Sequence, residues 1–88
     1  MEPFEIEFQP SIRKDFRKLS PDNASRILPK IEELATEPFP PQSIKLRGSE
    51  QLYRIRVGDY RIVYAVDEIN RRLLIYYVRH RREVYREL

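Results

Sequence analysis

From Leu52 to Val66 the chain alternates side-chain character on either side of Gly58-Asp59, and this pattern restricts the second half of the molecule to a β-hairpin. Successive strand residues point to opposite faces, so Tyr53, Ile55 and Val57 share one face while Leu52, Arg54 and Arg56 share the other. The return segment places Tyr60, Ile62, Tyr64 and Val66 with the first set and Arg61, Val63 and Ala65 with the second. Gly58 comes first in the two-residue loop, where a tight primed turn requires a positive φ. The hairpin therefore has an aromatic and aliphatic face to bury and a second face that carries three arginines.

The flanking segments supply what covers the apolar face. Phe4 to Phe8 alternates and predicts a half-buried strand. Ser11 opens a short helix with Ile12, Phe16 and Leu19 on one side. Ser20-Pro21 reads as a helix cap followed by proline at the first helical position. The second helix then carries Ala24, Ile27, Leu28, Ile31, Leu34 and Ala35 on one stripe. Pro29 lies inside it and predicts a kink or short break. Pro38, Pro40 and Pro41 end the helix in an irregular connector. Leu73 to Val78 is apolar on both faces, as an interior strand is, and a charged tail from His80 to Leu88 has room for one or two helical turns. The order is β-α-α-β-β-β with a short C-terminal tail or helix. It predicts an α+β fold over residues 1–88 as a single domain, a mostly antiparallel sheet with two helices packed on one face.

Composition narrows the chemistry. There is no cysteine, which removes disulfides, thiolate zinc sites and cysteine nucleophiles. One histidine, His80, makes a histidine-based metal site a poor expectation, and no metal or cofactor is expected. No apolar run reaches the length of a membrane span and the N-terminus lacks a signal-peptide pattern, so the expectation is a cytoplasmic protein that makes no membrane contact. Charge is unevenly placed. Residues 1–44 carry −2, residues 45–88 carry +5, and arginines outnumber lysines thirteen to four. A basic half rich in arginine suits a polyanion, because guanidinium groups fork onto phosphate oxygens.

If the helices take the apolar face, Arg54, Arg56 and Arg61 project together from the other. The tail adds Arg79, Arg81 and Arg82, with His80 and Tyr85 beside them. Arg54 and Arg56 alternate as any solvated strand face does, whereas Arg61 interrupts an otherwise apolar strand and needs a partner. Tyr53, Tyr60 and Tyr64 read as core. The cluster has the composition of a phosphate-binding surface.

Three segments carry a further resemblance. Lys45-Leu46-Arg47-Gly48, then Leu52 to Tyr64, then His80-Arg81-Arg82-Glu83-Val84-Tyr85-Arg86 are similar, in this order and spacing, to the RelE branch of the RelE/ParE toxin superfamily. That resemblance implies a toxin of a type II toxin–antitoxin system, encoded beside a cognate antitoxin and held with it in a hetero-oligomer. It implies a ribosome-dependent, metal-independent endoribonuclease that cuts mRNA in the decoding site, against 16S rRNA. Carried over by residue, it makes Arg61 the holder of the scissile phosphate. Arg81 becomes the group for charge stabilisation or leaving-group protonation, and Tyr85 the activator of the 2′-hydroxyl. Arg54 and Arg56 stand where RelE toxins often carry lysine, which keeps the charge but excludes a lysine base. Lys45, Arg47, His80 and Arg82 complete the expected RNA-binding set.

Two other readings stay open on sequence. A ParE-like toxin of similar fold acts on DNA gyrase, and a basic module without catalysis binds nucleic acid or regulates. The tail tyrosine, Tyr85, with the Arg54 and Arg56 pair, is the feature that separates the first of these from the RelE branch.

Overall fold

The computed structural model describes residues 2–48 and 51–82. Along the chain run β1 (Glu5–Phe8), α1 (Ile12–Arg17), α2 (Pro21–Thr36), β2 (Ile44–Lys45), β3 (Leu52–Val57), β4 (Tyr60–Asp67) and β5 (Arg72–His80). One five-stranded sheet holds them in the order β1-β5-β4-β3-β2. Three of the four pairings are antiparallel, and β1 lies parallel to β5. The fold is the expected α+β arrangement, with β2 as an added edge strand of two residues that sequence pattern did not reveal.

The hairpin forms where alternation puts it. Gly58 has a φ of +59°, and β3 pairs with β4 from Val57↔Tyr60 back to Leu52↔Ala65. Tyr64, Ile62 and Ile55 on its inner face are closed to solvent and pack with Ile27, Ile31, Leu34 and Ala35 of α2. Leu73, Ile75 and Val78 of β5 and Ile12 of α1 complete this core. Each large apolar side chain buried here contributes about 1.5–3 kcal/mol, which is what holds the helices on this face.

The expected buried stripe of α2 is corrected, and of the kink or break expected at Pro29 the break does not occur. Leu28 is 45% exposed and does not belong to the buried stripe. The helix also continues without a break through Pro29. Proline removes one N–H and crowds the carbonyl a turn earlier. The buried residues on both sides of it, Ile27 before and Ile31 after, hold the two halves against one sheet. At its start the cap is as read: the Ser20 side chain accepts from the Asn23 N–H at 3.3 Å, with Pro21 in the first turn.

Helix α1 closes the edge of β5 that β1 leaves open. β1 pairs with β5 only as far as Ile75. Beyond it, the Gln9 N–H donates to the Ile75 carbonyl at 2.9 Å and the Ser11 hydroxyl donates to the Tyr76 carbonyl at 3.3 Å. The Val78 N–H then donates to Asp15 Oδ2 at 3.1 Å. Asp15 is a carboxylate 6% exposed inside a short helix, and its burial follows from this duty: an interior-facing strand N–H needs an acceptor where no neighbouring strand supplies one.

Candidate phosphate-binding site

Strand register, more than sequence spacing, builds the site. Arg56 of β3 stands directly opposite Arg61 of β4, and Arg61 stands directly opposite Arg79 of β5. Three arginines thus form a row across three adjacent strands on the face away from the helices. An irregularity between Val63 and Tyr64 shifts the β5 register by one residue, and this shift puts Tyr77 and Arg79 on the arginine face. Like charges opposite each other on a sheet are destabilising.

Local partners hold it in place. Arg56 Nε donates to the Gly58 carbonyl at 2.9 Å. Arg79 Nε lies 3.7 Å from Asp15 Oδ1, and its guanidinium sits 4.4 Å above the centre of the Tyr77 ring. One buried carboxylate therefore both terminates the β5 edge and restrains the outermost arginine. The tail is pinned at its first residue, because the Arg81 N–H donates to the Asp59 carbonyl in the hairpin turn at 2.7 Å. That bond brings Arg81 beside the row. Arg56, Asp59, Tyr60, Arg61 and Arg81 line a pocket of about 140 Å3, small enough for one phosphate group.

Below the row, on the same face, lies a longer groove of about 590 Å3. Lys45, Arg47 and Arg54 line it with Arg61, and Ile44, Leu46, Val63 and Tyr77 give it apolar surface. Arg61 faces both cavities, so it is the residue through which they communicate.

The structure thus brings together Arg54, Arg56, Arg61, Arg81, Lys45 and Arg47. His80 goes elsewhere: it pairs with Tyr60 on the helix side of the sheet, its ring edge-on to Tyr60 at 5.4 Å. Its Nδ1 accepts from the Arg82 N–H at 3.2 Å, which gives it a local structural task. Arg82 is exposed and ends the described part of the tail. Tyr85 lies outside the described residues. Tyr60 is more than core, because it lines the small pocket while its hydroxyl accepts from Asn23 Nδ2 at 3.5 Å. Asp15 is the part of this centre that the expected cluster lacked, and Arg79, expected as a tail cation, is a β5 residue opposite Arg61. Among the described residues no group of three metal-ligating side chains comes together.

A profile of the family described as the ParE toxin of the type II toxin–antitoxin system, parDE, matches residues 6–85. The chain belongs to the RelE/ParE family of type II toxins. Its relatives place it on the RelE side. It is 31% identical over 86 residues to the toxin RelE1 of Methanocaldococcus jannaschii, covering 94% of this chain and 96% of that one. It is 30% identical over 89 residues to toxin RelG of Mycobacterium tuberculosis, covering 96% and 98%. Among solved structures, the archaeal RelE–RelB complex of Pyrococcus horikoshii matches with a TM-score of 0.79 at 28% identity, covering 91% of this chain and 97% of that one. The RelBE2 toxin–antitoxin complex of M. tuberculosis matches with a TM-score of 0.78 at 27% identity, covering 90% and 99%. This RelE-type toxin therefore spans nearly the full length of its relatives.

Proposed function

We propose that the toxin is an endoribonuclease that cuts mRNA on the ribosome, in the cytoplasm, and that a cognate antitoxin holds it inactive. The observation that carries this reading is the row Arg56–Arg61–Arg79 with Arg81 set beside it around a phosphate-sized pocket. Several arginines gathered on one sheet face favour the entry of a polyanion.

The reaction that suits this centre is attack by the RNA's own 2′-hydroxyl on the adjacent phosphorus. The 2′-oxygen–phosphorus bond forms, the bond to the 5′-oxygen of the next nucleotide breaks, and a cyclic 2′,3′-phosphate and a free 5′-hydroxyl result. Arg61, central in the row, holds the phosphate and meets the charge that grows on it. Arg81 hydrogen-bonds the departing oxygen. A guanidinium does not give up its proton near neutrality, so Arg81 stabilises charge there and the proton comes from solvent. Tyr85, in the role the family resemblance gives it, takes the proton from the 2′-hydroxyl. Arg54, Arg56, Lys45 and Arg47 attract the flanking backbone. A centre built mainly of arginines, with a phenol as its base, depends on the ribosome to align the substrate.

The partner reading rests on relatives that were solved with RelB antitoxins, those of P. horikoshii and M. tuberculosis. An antitoxin segment that carries acidic residues across the arginine row would displace RNA from it. Because the family profile bears the ParE description, the decisive experiment runs two arms. Purified toxin is mixed with programmed ribosomes and the mRNA ends are mapped, and the same preparation is added to a gyrase supercoiling assay. Cuts in the first arm with unaffected supercoiling support the proposal. Gyrase inhibition without cuts replaces it.

A further inference from the structure

The groove beside the arginine row has the chemistry of a nucleobase subsite. Its apolar surface comes from Leu46, Val63 and Tyr77, and its cations are Lys45, Arg47 and Arg54. Register places Arg54, Val63 and Tyr77 side by side across β3, β4 and β5, two residues along each strand from the arginine row. Two residues of strand span about 7 Å. That is the reach from a backbone phosphate to the base on the neighbouring sugar.

Tyr77 is held as a platform should be. The Arg79 guanidinium stacks over its ring, and Asp15 restrains Arg79 in turn. Bases in single strands are held by rigid aromatic side chains, with cations on the phosphates alongside. Arg61 joins the groove to the small pocket, so a strand with one phosphate in the pocket continues into the groove.

We propose that this groove receives the base adjoining the scissile phosphate, stacked on Tyr77, with Arg54 and Arg47 on the next phosphate. The inference rests on the ribonuclease reading and adds to it a source of base preference. The occupant is single-stranded RNA because, among the described residues, the charged groups lining the groove are cationic, and Arg61 joins it to the phosphate pocket.

The test uses ribosomes programmed with mRNA whose scissile 2′-hydroxyl is methylated, so that it binds without being cut. The fluorescent base 2-aminopurine occupies each flanking position in turn. Toxin binding is expected to quench one of the two positions. Tyr77→Leu should abolish that quenching, raise KM for cleavable mRNA about five- to a hundred-fold and flatten base preference, while Tyr77→Phe retains all three. Should Tyr77→Leu fail to fold, 4-thiouridine at the quenched position of the mRNA reports on the unsubstituted toxin. Crosslinks to the peptides holding Leu46 or Tyr77 support the subsite, and crosslinks confined to other peptides overturn it. Unchanged quenching and preference in a folded Tyr77→Leu toxin that escapes its antitoxin assign the groove to the antitoxin and overturn the inference. Unmodified mRNA left uncut by the parent toxin defeats the ribonuclease reading, and the subsite with it. Normal cutting with no quenching at either position defeats the subsite alone.

Discussion

Arg61 on β4 and Arg56 on β3 face each other across an antiparallel register, and both line one small pocket. Two cations so placed repel, which gives the pair opposite effects on stability and on anion binding. Arg56 is exposed, so its removal costs one solvent-accessible hydrogen bond to Gly58 and relieves its charge on Arg61. Arg56→Ala is expected to change unfolding free energy by no more than about 0.5 kcal/mol. Its ribosome binding should weaken, with a salt dependence shallower by about one charge. Urea denaturation and binding titrations over a range of salt check the two halves separately.

Asp15 links the sheet edge to the site. Asp15→Ala leaves the Val78 N–H buried without an acceptor and should cost about 1–3 kcal/mol in urea unfolding. Asp15→Asn keeps an oxygen for Val78 but loses the charge facing Arg79. It should retain most of the stability and still lower cleavage, because Arg79 is no longer restrained over Tyr77. Equal stability losses in the two variants would show that the charge, and not the acceptor, is what the edge requires.

Pro29→Ala should stabilise the toxin. It restores an N–H to the middle of α2 at an exposed position and removes a clash with the preceding turn. The unfolded chain gains freedom, which reduces the benefit, and a net gain of about 1–2 kcal/mol is expected. The midpoint of urea unfolding reads it directly.

The Tyr64 phenol titrates late. Burial pushes its pKa up from the ordinary value near 10, a hydrogen bond with the Ser43 side chain opposes this, and the Tyr53 phenol adds a smaller upward push. The hydroxyl donates to the Pro38 carbonyl at 2.9 Å, a bond that needs the proton. A raised folded-state pKa means that the native state holds the proton more tightly than the unfolded chain. Stability from this group is therefore complete below about pH 10 and is lost as pH rises through the folded-state value. An absorbance titration of phenolate should show a late step that accompanies unfolding. In Tyr64→Phe that late step should be missing.

The elements and their sidedness were legible because each rests on a local rule. Alternation around Gly58-Asp59 placed Arg54, Arg56 and Arg61 on one face, and Ser20-Pro21 started α2 where the cap is found. What sequence left out depends on pairing between distant strands. β2 is two residues long, too short for any period to show. Arg79 was visible as a tail cation, but its place beside Arg61 follows from the one-residue shift near Val63. Asp15 has no part in the apolar spacing that defines α1. Its spacing of three from Ile12, on the buried side of α1, was the available signal, and the reason for its burial lies on β5. His80 shared the tail's basic composition, yet strand alternation turns it to the helix side against Tyr60.

The central claim is that the arginine row is a nuclease centre, and ribosome-dependent cleavage by variants of Arg61 and Tyr85 measures it most directly. The parent toxin on programmed ribosomes should give discrete cuts that require no divalent ion in the chemical step. Arg61→Ala removes the middle cation and should slow cutting about a hundred- to a thousand-fold. Tyr85→Phe should slow it while ribosome binding and melting temperature hold. Full-rate cleavage by the Arg61→Ala, Tyr85→Phe double variant would contradict the account, because the cutting centre would then lie away from the arginine row.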